Sequence, residues 1–271
     1  MPHVVRRRRG VGAALTLALA TAATALPAHA ADAGQQGQRD FSVTAHRGGP
    51  TRTLGENTMA AFRHSIEAGA TAIETDLRRT RDDELVVLHD SGVGRTTNCT
   101  GPIGDWTLAQ LDRRCREDTS GKPLPHFDEL LAFAQRKQGL SLMVELKGSN
   151  WSVVQVRRVV RQIKDARLVD RIALSSLRVT VLERVRQLAP GLGNQLIASG
   201  WRKVRETRGK VGGYNVPADA LTRTRVKRLR KHGITVVGGL SETPAEWQRL
   251  QRLGVDGVVV SKVDAYRSWL G

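Results

Sequence analysis

Two histidines, two alternating acids and an arginine fall within a 45-residue arc. They occur in His46-Arg47-Gly48-Gly49, Ile73-Glu74-Thr75-Asp76-Leu77 and Leu88-His89-Asp90. A histidine pKa near 6.5 lets one ring donate a proton while the other accepts one. Side chains two apart on a strand share a face, so Glu74 and Asp76 point to the same side. Glu145 alternates with Lys147 in the same way. Burying carboxylates together is costly unless a cation holds them. Three carboxylates without a thiolate suit one hard divalent cation, Ca²⁺ or Mg²⁺, better than Zn²⁺. Arg47 offers a planar fork to phosphate oxygens, and Lys147 a point charge. Together these residues supply a general acid/base pair (His46, His89), a metal site (Glu74, Asp76, Glu145) and anion contacts (Arg47, Lys147). That is the equipment for cleaving a phosphodiester.

Short apolar runs alternating with amphipathic segments must position these groups. Strands are expected over 42–45, 71–77, 140–146, 172–175, 195–198, 214–216, 235–237 and 257–260. Helices are expected over 57–68, 127–138, 152–165, 179–188, 201–208, 222–232 and 244–253. The run 85–89 is strand-like, but only seven residues separate it from Leu77, and they include Asp82-Asp83. A parallel crossover needs a dozen or more residues, so this run reads as the returning arm of a hairpin. Residues 91–126 read as an inserted excursion clamped by Cys99 and Cys115, with helical periodicity only over 107–114. Eight alternating strand–helix units imply an α/β fold, a (β/α)8 TIM barrel with a hairpin and disulfide-clamped insertion after strand two. Catalytic groups in such a barrel sit at the C-terminal ends of the strands, where 46–47, 74–76, 89 and 145–147 all fall. Glu56-Asn57-Thr58 precedes a helix and reads as its cap, through Asn57 or Thr58. His3 and His29 fall in the expected export signal, and His64, His126 and His232 lie on expected helix or loop positions without acidic partners at strand ends, so none of the five carries assigned chemistry.

The chain of 271 residues opens with features of an export signal. Arg6 to Arg9 precede an apolar run over 11–26, and Ala28-His29-Ala30 fits a cleavage site. The run is short for a membrane span, so no transmembrane anchor is expected after cleavage. Residues 31–40 are polar and read as a disordered mature N-terminus. The single catalytic domain then covers 41–271. The formal charge is +17, and +13 without the four signal arginines. A basic surface attracts anionic partners, such as a wall or lipid polymer. With only 11 aromatic residues, a specific nucleic-acid binder is not expected. An exported chain meets an oxidising compartment, so Cys99 and Cys115 are expected to pair. The short loop they close implies stabilisation of about 3 kcal/mol.

The ordered set of motifs resembles the glycerophosphodiester phosphodiesterase family. It comprises His46-Arg47-Gly48, Glu56-Asn57-Thr58 with Ala61-Phe62, Glu74-x-Asp76, Val87-x-His89-Asp90, Arg95-Thr96-Thr97, Pro123-Leu124-Pro125, Glu145-x-Lys147 and Gly254-Val255-Asp256-Gly257. The resemblance implies a divalent cation and hydrolysis of glycerophosphodiesters to sn-glycerol 3-phosphate and an alcohol. It also implies attack by the glycerol 2-hydroxyl, with the two histidines exchanging protons and water then opening a cyclic phosphate. The same histidines and carboxylates occur in phospholipase D-like lyases of the sphingomyelinase D type, which would stop at cyclic phosphates. A weakly active, basic polyanion-binding surface protein is the reading from another class. Thr235-Val236-Val237-Gly238 and Val259-Val260-Ser261-Lys262 depart from the family pattern, as does Gly55 before Glu56. These departures are expected to bear on the alcohol and glycerol pockets and to leave the metal and histidine set untouched.

Overall fold

The structure, a computed structural model, describes Met1, His3 and residues 41–271. The expected export signal over 1–30 and the polar start over 31–40 rest on residues outside those described.

The chain forms nine strands: β1 (Ser42–Ala45), β2 (Ala72–Arg79), β3 (Leu85–Val87), β4 (Ser141–Leu146), β5 (Ile172–Ser176), β6 (Gly193–Ile197), β7 (Gly213–Val216), β8 (Thr235–Leu240) and β9 (Gly257–Val260). Eight of them run parallel in the order β1-β9-β8-β7-β6-β5-β4-β2, and β1 pairs with β2 to close the barrel. The closing register sets Thr44 against Ala72 and Ala45 against Ile73. The ninth, β3, pairs antiparallel with β2 through Leu77–Val87 and Arg79–Leu85. The hairpin expected from the short 78–84 spacing is therefore present, and it carries the chain back toward the end of β2.

Nine α-helices lie between or after the described strands: α1 (Met59–Glu67), α2 (Leu108–Arg114), α3 (Phe127–Arg136), α4 (Val153–Asp165), α5 (Val179–Leu188), α6 (Trp201–Thr207), α7 (Arg223–Arg230), α8 (Pro244–Leu253) and α9 (Val263–Leu270). In α4 the apolar residues Val156, Val159, Val160 and Ile163 recur at helical spacing and are all buried. Ser152 and Gln155 start that helix with a reciprocal cap, which satisfies two orphan N–H groups. Thr243 and Glu246 do the same for α8. The sequence reading missed α9. It is only eight residues long, and two of its apolar residues are aromatic rings: Tyr266 and Trp269 pack on Trp247 at ring separations of 5.1 and 5.6 Å.

The apolar core lies mainly between the sheet and its helices. One cluster joins β2–β5 to α3–α5, and another joins β1 and β6–β9 to α6–α9. Met143, Val237 and Val259, from strands β4, β8 and β9, form a separate small cluster. The insertion has its own core of Val86, Leu88, Val93, Ile103, Leu111 and Leu124. A Cys99–Cys115 disulfide closes across it.

Candidate active site

The site begins where β1 ends. His46-Arg47-Gly48 makes one tight turn in which Arg47 holds φ of 49° and Gly48 φ of 78°. A Cβ on Gly48 would fall 2.4 Å from the Phe62 ring, so both the angle and the room require glycine. The turn aims the Arg47 backbone N–H at Glu74 Oε2, which accepts it at 2.8 Å. A left-handed arginine costs about 1 kcal/mol, and this hydrogen bond to a buried carboxylate is one interaction that holds it.

Glu74 and Asp76 both lie on the buried strand β2, and Glu145 lies beside Asp76 in the β2–β4 register. All three are buried, and a carboxylate oxygen from each lies within 4.8 Å of the others. Lys147 Nζ reaches Glu145 at 3.2 Å and Asp76 at 3.4 Å. Arg47 Nε stands 3.8 Å from Asp76 and makes no hydrogen bond among the described residues. Burial, and next the charge of Asp76, push the Glu74 carboxyl well above the usual range. Burial raises Glu145 too. Lys147 and a shared Arg47 are too few cations for three carboxylates. An all-oxygen donor set with excess negative charge fits a hard divalent cation.

The histidines are fixed by different means. His46 Nδ1 lies 3.1 Å from Ser261 Oγ, and the Ser261 N–H donates to Glu242 Oε1 at 2.8 Å. Burial, then the neighbouring Arg47 charge, pull His46 down to about 4, so its ring is neutral near pH 7. His89 Nδ1 lies 2.6 Å from Asp90 Oδ1. Arg78 Nε donates to the His89 carbonyl at 2.8 Å, which ties the hairpin arm to β2. Asp90 accepts from Arg95 Nε at 2.5 Å, and that hydrogen bond holds its carboxyl far below the usual range. Arg95 also donates to both Glu56 oxygens, which in turn accept from Arg47 at 3.2 Å. A continuous polar chain therefore links His89 to Arg47 through Asp90, Arg95 and Glu56.

Every singled-out residue of the metal, histidine and anion-contact sets lies at this one mouth. The sequence reading of the segment 56–58 as a cap holds only for Thr58, whose Oγ1 accepts from the Ala61 N–H at 3.1 Å. Asn57 instead turns inward at φ of 58°. Its Nδ2 donates to Asp76 Oδ2 at 2.9 Å, and its Oδ1 accepts from Thr75 Oγ1 at 2.8 Å. Glu56 and Arg95, which carried no assigned chemistry, bridge the two histidine-bearing segments. Their only signal was the Glu-Asn-Thr and Arg-Thr-Thr motifs of the resemblance. The expectation that the altered C-terminal strands leave the histidines untouched is corrected: Ser261 contacts His46 directly. Asp256, by contrast, is structural. It accepts from the Val236 N–H and pairs with Arg230, where β9 begins.

Residues 46–265 match the sequence model of the glycerophosphoryl diester phosphodiesterase family. A glycerophosphodiester phosphodiesterase of Bacillus altitudinis is 32% identical over 154 residues, covering 55% of this chain and 62% of that one. One from Caldanaerobacter subterraneus subsp. tengcongensis is 27% identical over 230 residues, covering 80% and 92%. Among solved structures, an Oleispira antarctica phosphodiesterase in complex with the product sn-glycerol-3-phosphate shares the fold. Its TM-score is 0.75 at 20% identity, over 84% of this chain and 96% of that one.

Proposed function

We propose, for a chain that belongs to the glycerophosphoryl diester phosphodiesterase family, a secreted, metal-dependent enzyme. It cleaves glycerophosphodiesters to sn-glycerol 3-phosphate and an alcohol. The observation that carries this reading is the meeting of three buried carboxylates, two histidines and two cations at one barrel mouth. Glu74, Asp76 and Glu145 would hold the ion, which supplies Lewis-acid stabilisation of charge on the phosphoryl oxygens.

The remaining chemistry falls to the chain's own groups. Arg47 and Lys147 orient the phosphate. His46 is neutral at working pH, so it serves as the base that takes the proton of the glycerol 2-hydroxyl. Ser261 occupies its Nδ1 and leaves Nε2 for that proton. The hydroxyl oxygen bonds to phosphorus as the bond to the alcohol oxygen breaks. His89, held through Nδ1 by Asp90, delivers a proton to that leaving oxygen. Water then opens the cyclic phosphate with the two roles reversed, which returns both rings to their starting states. The product complex of the Oleispira antarctica neighbour supports glycerol 3-phosphate as the product class.

Incubation of the protein from residue 31 with glycerophosphodiesters and Mg²⁺ or Ca²⁺, followed by phosphorus NMR, tests this. Metal-dependent glycerol 3-phosphate is expected, with His46→Ala and His89→Ala each losing about 10²–10⁴-fold in turnover. Full activity in EDTA would refute the metal site. Cyclic phosphate that persists would favour the lyase reading. Turnover unchanged in both histidine variants would remove the acid–base assignment.

A further inference from the structure

The stretch from Trp201 to His232 holds eleven Lys and Arg and only two acids, Glu206 and Asp219. It contains α6 and α7, which precede and follow β7, the strand opposite β2 in the closed barrel. Helix α6 starts four positions after the C-terminal end of β6, so the stretch begins at the rim that carries the site. Stability does not account for this charge. Arg223 and Lys227 are four apart on α7, and Arg225 and Arg228 three apart, spacings at which like charges repel. No acid occupies the first turn of α7, where the helix dipole favours one.

Part of the charge is compensated. Lys210 pairs with Glu183 at 3.8 Å and Arg230 with Asp256 at 3.4 Å, while Arg225 lies over the Trp201 ring at 4.8 Å. Arg205, Arg208 and Arg228 are different. All three are exposed, and none has a side-chain hydrogen bond or ion pair among the described residues. They line one cavity of about 250 Å³ together with Trp201, Val204 and Leu229, and no carboxylate lines it. Trp201, Arg205 and Arg208 stand at i, i+4 and i+7, one stripe along α6 and its end. Arg228 comes from the last turn of α7. Val204 and Leu229 are buried, so they form the floor and the guanidinium groups the rim. Planar forks with free donors around one hollow suit phosphate oxygens, which they can hold in bidentate fashion.

We infer that the α6–α7 face, centred on this cavity, is a second binding site that holds a phosphodiester polymer, a flexible chain with one negative charge per repeat. The choice of polymer rests on the phosphodiesterase reading above: a chain of glycerol phosphate held on this flank is retained beside the mouth that cuts its linkages. A lipid surface fits less well, because Val204 and Leu229 are buried and Trp201 lies under Arg225, so the cavity offers no projecting apolar group to insert into a bilayer. A single-stranded nucleic acid needs open aromatic faces on which bases stack, and the one aromatic ring of the cavity is taken by Arg225.

Binding of end-labelled poly(glycerol phosphate) to the full-length chain is followed by fluorescence anisotropy in EDTA, from about 50 to 200 mM salt. The unaltered protein should bind with a log–log salt slope of about −2 or steeper, as expected when three arginines each meet a phosphate of a flexible chain. This measurement needs no variant to fold. The triple variant Arg205→Ala/Arg208→Ala/Arg228→Ala should bind about tenfold or more weakly and flatten the slope by about 2. Arg113→Ala/Arg114→Ala/Arg136→Ala, which removes the same charge from α2 and α3, should lose less than about threefold. Replacing the three cavity arginines by lysine keeps the charge without the fork and should fall between. With Mg²⁺, the cavity variant should raise KM for the polymer and leave kcat/KM for glycerophosphocholine unchanged. Equal losses in the two alanine variants would show diffuse charge and no site, and overturn the inference, as would a salt slope near zero. Tighter binding of duplex DNA or of phosphatidylglycerol vesicles at equal phosphate concentration, lost in the cavity variant, would overturn the polymer as the partner. Binding as expected without turnover of either substrate would leave the site standing and remove the phosphodiesterase reading, together with the choice of polymer that rests on it.

Discussion

Ser261 meets His46 across 215 positions of sequence, and its hydroxyl orients the ring that passes a proton in the proposed mechanism. Losing one neutral hydrogen bond of this kind is worth about 1 kcal/mol. Ser261→Ala should therefore lower kcat by about five- to tenfold with KM little changed, and Ser261→Thr should recover most of it. Steady-state kinetics check this, and an unaltered kcat would show that Ser261 does not position the histidine. The carboxylates make a second prediction, about stability. The folded pKa of Glu74 lies above its unfolded value of about 4.5, because burial and Asp76 oppose its charge. In EDTA the stabilising contribution of the protonated acid is complete below that unfolded value and is lost as pH rises through the folded one. Glu74→Gln removes this loss, so at pH 8 in EDTA the variant should melt higher, by about 1 kcal/mol or roughly 2–4 °C. With Mg²⁺ the order should reverse, since an ion that binds only the folded state stabilises the intact site. Calorimetry under both conditions decides it, and a variant that melts lower in EDTA would mean the three acids are already compensated.

At the scale of elements, the β2–β3 hairpin and its insertion matter most. They bring back His89 and supply Asp90 and Arg95, so three of the five residues in the polar chain from His89 to Arg47 hang on a segment outside the barrel proper. The Cys99–Cys115 disulfide spans a sequence separation of 16. Replacing both cysteines by alanine should cost about 3 kcal/mol. Because Arg95 ties Asp90 to Glu56, activity should fall alongside Tm rather than after it. Full activity in a reduced protein of lowered Tm would show that the insertion holds its shape without the clamp. The hairpin was legible because seven residues are too few for a parallel crossover. Helix α9 was not, because its burial depends on Trp247, a ring on another helix that no local period announces.

For the whole molecule, barrel closure through β1–β2 puts the turn that carries His46 and Arg47 beside the strand that carries Glu74 and Asp76. Among the described residues, no helix is long and apolar enough to cross a membrane. The proposal of export rests on the arginine run, the apolar run and Ala28-His29-Ala30. Terminal sequencing of the protein recovered from culture medium should read from Ala31. Full-length protein held in the membrane fraction would overturn secretion.

Strand periodicity, the alternation of Glu74 with Asp76 and of Glu145 with Lys147, and the order of the motifs were enough to specify a barrel with three carboxylates, two histidines, Arg47 and Lys147 at one mouth. Those features are local: a two-residue period decides which side chains share a face, and strand ends decide which rim they reach. Only the tertiary structure decided that Asn57 supports Asp76 instead of capping a helix, that Glu56 and Arg95 join the histidine segments, and that Ser261 holds His46. Each of these is a contact between segments distant in sequence. Capping and charge pairing look alike in sequence until closure of the barrel determines which partner comes within reach.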